Sequence, residues 1–204
     1  MKDSFALFNE PRRPWLEPEA LKQKFLALSA QLHPDRVHGA GEAQKKEAQE
    51  RYAELNAAYN RLRDPKERLS HLLELELGAR PQDVQRIPDG LISLFSEINQ
   101  SCRETDALLA EKDKVTSPLL KVQIFDRAQE QSQKMSALQQ RVNSQREHLL
   151  ADLQAIDRDW GLRLQESSLA RNSSLQRLEE IYRLLSYFTR WMTQLQERIV
   201  QLAM

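Results

Sequence analysis

His33, Pro34 and Asp35 place an imidazole, a backbone-fixing ring and a carboxylate on three consecutive positions. The residue before a proline is pushed out of the helical region, so a helix entering this triplet stops at His33 and the two functional groups stand at the tip of a turn. Such a turn can dock on a partner's charged surface. Catalysis would need more: no Gly-rich phosphate loop, no Ser-His-Asp set and no paired-carboxylate constellation is present. His33, His38 and Asp35 match no standard metal-ligand spacing, and no cysteine lies nearby. Cys102 falls on an apolar stripe and reads as a small buried hydrophobe. The expectation is a docking protein with no catalytic residue, metal or cofactor of its own.

Two amphipathic segments flank the triplet. From Glu19 to Leu32, Leu21, Phe25, Leu28 and Leu32 recur at steps of four, three and four. From Ala43 to Arg63, Ala48, Tyr52, Leu55, Tyr59 and Leu62 do the same. Two such stripes bury each other as an antiparallel pair. Gly39 and Gly41 let the chain bend back between them.

Composition narrows the class. The chain has 204 residues, enough for one or two domains with a core. It holds five glycines and eight prolines, and every proline lies at or before Pro118, so an all-helical protein is expected. Lys plus Arg equals Asp plus Glu at 30 each, and the balance is local, 14 against 13 through residue 80. That excludes a basic nucleic-acid footprint. A single cysteine forms no intrachain disulfide, and no apolar run approaches the ~20 residues that span a bilayer. Asp3, Glu10 and the lack of an apolar leader argue against a targeting segment, so a cytoplasmic location is expected.

Along the chain, Pro65 opens a helix whose apolar face is Leu69, Leu72, Leu73 and Leu77, and Gly78 ends it. Residues 79–88 read as a linker, with Asp89 as the cap of the next helix. On that helix Leu91, Ile92, Phe95, Ile98, Cys102 and Leu109 mark the apolar positions to about Glu111. Residues 119–160 contain neither Gly nor Pro, and Ala128, Met135, Val142, Leu149 and Ile156 recur every seventh position, which predicts one helix of roughly 60 Å. Its second seam mixes Leu138 and Leu153 with Gln131 and Asp152, so its middle is expected to be loosely packed or partly exposed. Ser167, Ser168, Asn172, Ser173 and Ser174 read as a break or cap. The last helix has the cleanest period, Leu178, Ile181, Leu185, Phe188, Met192, Leu195, Ile199 and Leu202. Three such helices make an antiparallel bundle or coiled coil, with self-association as a further expectation. Trp15, Trp160 and Trp191 read as packing residues, the first on the N-terminal domain and the others at bundle ends.

The triplet, the start Asp3-Ser4-Phe5-Ala6-Leu7-Phe8 and the run Leu55-Asn56-Ala57-Ala58-Tyr59-Asn60-Arg61-Leu62-Arg63-Asp64-Pro65 together resemble a J-domain, the part of a co-chaperone that activates a DnaK-type chaperone. The junction from Glu54 through Pro65 and Leu72-Leu73 to Leu75 is similar to that of the iron-sulfur co-chaperone family HscB, called Jac in fungal mitochondria. The resemblance implies a J-domain over 1–78, a linker over 79–88 and a three-helix client-binding bundle over 89–204. It implies that His33, Pro34 and Asp35, with Lys22, Lys24 and Arg36, dock on an HscA-like, DnaK-type chaperone and stimulate its ATPase. It also implies that Leu91, Ile92, Phe95 and Tyr187 bind an IscU-like cluster scaffold. Tyr187 stands off the heptad positions held by Leu185 and Phe188, which favours its exposure. The sequence departs from the family where acidic residues usually flank the patch: Ser93 and Ser96 stand there, and Glu97 is displaced by one. Two other readings follow from such departures: a J-protein carrying a different client, or a structural coiled coil with a degenerate J-domain.

Overall fold

A computed structural model describes residues 2–33, 41–81, 87–163 and 168–204. Among these every regular element is helical: α1 (Ser4–Leu7), α2 (Pro18–Leu32), α3 (Glu42–Arg63), α4 (Pro65–Leu77), a 3-10 turn (Asp89–Leu91), α5 (Ile92–Lys112), α6 (Pro118–Arg163) and α7 (Ser168–Ala203). The all-α reading holds, and the helix bounds inferred for the first half agree to within about a residue.

Local chemistry explains the ends. Asp3 caps α1 by accepting the N–H groups of Phe5 and Ala6. Pro18 and Pro65 sit in the first turn of α2 and α4, where a missing N–H costs nothing. Asp64 accepts the Glu67 N–H at 2.9 Å, and Gly78 closes α4 at φ 75, with its N–H on the Glu74 carbonyl at 3.0 Å. At the end of α2, His33 adopts an extended backbone (φ −60, ψ 131), as a pre-proline residue must.

Packing divides the chain into two units, residues 1–82 with 150–182, and 83–149 with 183–204. In the first, α2 and α3 pair, and α3 also packs on α1 and α4. Phe25 stacks on Tyr59 with centroids 4.1 Å apart, and Leu21, Leu55, Leu62, Leu69, Leu72 and Leu73 are buried. Leu77, expected on the apolar face of α4, is exposed, whereas Arg68 and His71 are buried on that helix. Arg68 is held by its Nε–H on the Pro14 carbonyl (2.9 Å) and a second donation to the Leu62 carbonyl (2.6 Å), with the Trp15 ring 5.5 Å away. Burial lowers its pKa to about 10, so it stays charged at neutral pH.

The late part of α6 and the early part of α7 belong to this first unit. Asp157, buried, accepts both guanidinium donors of Arg13 and the Trp15 N–H at 3.0 Å. Trp160 donates its indole N–H to the Arg12 carbonyl at 2.8 Å, and Arg171 pairs with Glu76 at 2.6 Å. Trp160, expected at a bundle end, instead fastens the segment between α1 and α2.

In the second unit the observed α5 stripe is Leu94, Ile98, Cys102 and Leu108, with Ser101 and Thr105 also buried. This corrects the inferred stripe: Leu91 and Phe95 are half-buried, and Ile92 is 51% exposed. Asp89 opens the 3-10 turn instead of capping α5. The middle of α6, expected to be loosely packed or partly exposed, is packed at its apolar positions and exposed at Asp152. Met135, Leu138 and Val142 are buried there, and Gln131 is satisfied by donating to the Ser101 carbonyl (3.0 Å) and the Thr105 hydroxyl (3.0 Å). Ser168, Asn172, Ser173 and Ser174 lie inside α7, so the inferred break there is not found in those four residues; Ser167 lies outside the described residues.

Candidate functional site

Of the docking triplet, His33 is described, while Pro34, Asp35 and Arg36 lie outside the described residues, as does His38. His33 is exposed at the end of α2, and its ring meets Tyr52 of α3 edge-on, with centroids 5.3 Å apart at 72°. Tyr52 is held in turn by the Ser29 hydroxyl, which donates to its oxygen at 3.2 Å. A shallow hollow of about 340 Å³ adjoins the ring, lined by Gln31, Leu32, His33, Gln44, Glu47, Ala48 and Arg51. The α2–α3 pair therefore fixes the imidazole through an aromatic neighbour and leaves a recess beside it. The two candidate lysines are engaged locally: Lys24 pairs with Glu10 at 2.5 Å, and Lys22 stands 3.8 Å from Glu19. Such exposed pairs reduce their long-range field without binding the side chains tightly.

The four candidate client residues separate. Ile92 is open, and Leu91 borders a hollow of about 290 Å³ that Ser93, Leu94 and Arg141 also line. Phe95 lies against Trp191, with centroids 6.1 Å apart. Tyr187 is 8% exposed, 5.9 Å from the Trp191 ring and beneath the Arg190 guanidinium at 5.6 Å. Its expected exposure is thus overturned: Trp191 draws Tyr187 and Phe188 into one aromatic group. Beside the patch, Arg141 grips Glu97 with two donations, at 2.5 and 3.2 Å. That hydrogen bonding, with the Ser93 hydroxyl adding to it, holds the Glu97 carboxyl below its usual range. The acidic group nearest the patch is therefore already neutralised.

Sequence reasoning missed Arg13, Asp157 and Arg141. Each acts through an ion pair with a residue far away in the chain, which no periodic pattern marks.

Among the described residues no cluster of His, Cys, Asp and Glu fits a metal ion, and no helix is long and apolar enough to cross a membrane.

Comparison with known proteins defines the class first. The DnaJ domain family matches residues 14–71, the stretch that holds α2, the triplet and α3, so this segment is of the J-domain class. Within that class, its relatives and its fold are of the HscB type. It is 44% identical over 71 residues to the co-chaperone protein HscB homolog of Paraburkholderia phymatum, covering 35% of this chain and 41% of that protein. The homolog of Burkholderia vietnamiensis is 43% identical over 83 residues, covering 39% and 47%. The matched segments span less than half the length of these curated relatives. The fold extends further: chaperone HscB from Vibrio cholerae superposes over 98% of this chain and 99% of its own, with TM-score 0.63 at 20% identity. Human co-chaperone HscB covers 97% of this chain and 82% of its own, with TM-score 0.63 at 16% identity.

Proposed function

We propose that this chain is a co-chaperone that activates the ATPase of a DnaK-type, HscA-like chaperone and brings to it an IscU-like iron-sulfur scaffold. His33, Pro34 and Asp35 engage the chaperone, with Lys22, Lys24 and Arg36 steering the encounter. The hydrolytic chemistry belongs to the chaperone, so this chain needs no catalytic group. Leu91, Ile92 and Phe95 receive the scaffold. Residues 1–78 act as the chaperone-facing module, 79–88 as the connection and 89–204 as the client-facing module, in the cytoplasm. The observation that carries this reading is the exposed imidazole where α2 stops, inside the stretch that matches the DnaJ domain.

The test is ATP hydrolysis by the organism's own DnaK-type chaperone. His33→Gln is expected to remove stimulation while leaving the circular dichroism melt and scaffold binding unchanged. Stimulation retained by the variant defeats the docking assignment.

A second reading is a J-protein carrying another client. Two observations favour it: Tyr187 is buried, and Glu97 is bound to Arg141. Calorimetric titration of the scaffold separates the two. Under the first reading, Leu91→Ala with Ile92→Ser weakens binding about tenfold, the loss of roughly 1.4 kcal/mol of apolar contact. Absence of scaffold binding by a wild-type chain that still stimulates its chaperone favours the second.

A further inference from the structure

Where α5 turns into α6, the second unit carries apolar surface that its own packing leaves open. Leu108, Ile124, Ala128 and Leu202 form a buried cluster. Against it opens a hollow of about 440 Å³, walled in part by Ile124, Phe125, Ala128 and Leu202. That volume falls in the range of pockets that receive ligand groups or anchor side chains.

Near its start α6 shows Leu119, Val122 and Phe125, which are 70%, 59% and 67% exposed, and Phe125 also lines the hollow. At 3.6 residues per turn these three span about a third of the helix circumference, a separate face from the one that buries Ile124 and Ala128. A helix that packed only within this bundle would carry polar residues on that face. Single exposed apolar residues are ordinary, but three on one helix face, joined through Phe125 to an apolar hollow, mark an interaction surface.

Charge selects the occupant. Lys112 and Lys121 line the same hollow and make no ion pair among the described residues, whereas neighbouring cations are neutralised, Arg127 by Glu111 at 2.8 Å and Lys134 by Glu104 at 2.5 Å. Two unpaired ammonium groups on an apolar recess suit carboxylates. We propose that this surface is a second docking site, for an amphipathic helical segment of a partner protein whose apolar face is flanked by acidic residues. A second copy of this chain would bring its own Lys112 and Lys121 toward these. A concave hollow offers nothing to a flat bilayer. The site stands independently of the chaperone and scaffold assignments.

The test uses the full chain and two labelled synthetic helical peptides of about 16 residues. Both carry leucines at helix-in-groove spacing; one flanks them with glutamates and the other with lysines. Fluorescence anisotropy is expected to give micromolar binding of the glutamate peptide and at least about tenfold weaker binding of its twin. Leu119→Ser with Phe125→Ser removes that binding. Lys112→Glu with Lys121→Glu inverts the preference. The charge-reversed variant decides the matter if the serine variant melts early. No binding of the glutamate peptide at millimolar concentration, equal binding of both, or an unaltered preference after charge reversal overturns the proposal. Two other results also overturn it: sedimentation with phosphatidylserine vesicles, or a concentration-dependent dimer, when either is lost on Leu119→Ser with Phe125→Ser.

Discussion

His71 accepts the Ser4 N–H on Nε2 at 3.0 Å and stacks on Phe5, with almost no solvent contact. Burial, with Arg61 nearby, holds its pKa below the ordinary 6.5, so it is neutral in the folded chain. The unfolded chain takes up a proton there as pH falls below about 6.5. Stability is therefore full above that value and declines as pH drops toward the lower folded pKa. His71→Gln keeps an acceptor for the Ser4 N–H but does not titrate. Urea midpoints measured at about pH 7.5 and 5.5 should accordingly fall less for the variant than for the wild type; equal falls contradict the assignment. Tyr187 poses the complementary question, because its ring is packed instead of presented. Tyr187→Ala is expected to destabilise the second unit by about 3 kcal/mol in urea denaturation. Lost client binding with unchanged stability would show instead that the ring acts on a partner.

Among the elements, the clasp on Asp157 makes the end of α6 part of the J-domain's packing unit. Asp157→Asn weakens the Arg13 pair and leaves a poorer acceptor for the Trp15 N–H, at a cost of about 2 kcal/mol, kept modest because Arg13 is partly exposed. Hydrogen exchange should quicken over residues 12–16 and 150–160; unchanged protection would mean that apolar burial alone holds them. The helices of the first half were legible because caps, prolines and apolar steps agree there, as at Asp64, Pro65 and Gly78. The buried face of α5 was not, because Ser101 and Thr105 occupy core positions, where Thr105 donates to the Ser101 carbonyl, Ser101 donates to Met135 of α6, and both hydroxyls accept from Gln131 of α6. A hydrophobic pattern cannot see a polar layer that completes itself in three dimensions. The serines early in α7 misled for a related reason: serine's helix penalty is only about 0.5 kcal/mol, and burial of Ser174, Leu175 and Leu178 on the same helix outweighs it.

At the scale of the whole molecule, the chain has an HscB-like fold over almost all of its length, within which residues 14–71 match the DnaJ domain. The end of α2 was legible from the proline that follows it, and the structure sets His33 there against Tyr52. The proposed client patch divides: Ile92 is exposed and Leu91 half-buried, Tyr187 is buried, and Glu97 is paired with Arg141, more than forty residues further along the chain. The central claim is that one chain couples chaperone activation to delivery of a scaffold. The most direct test is steady-state ATP hydrolysis by the organism's DnaK-type chaperone with this protein, its scaffold, or both. The expected result is stimulation by the wild type, further stimulation when the scaffold is added, and neither with His33→Gln. A rate unaffected by the wild-type protein, with or without scaffold, contradicts the claim.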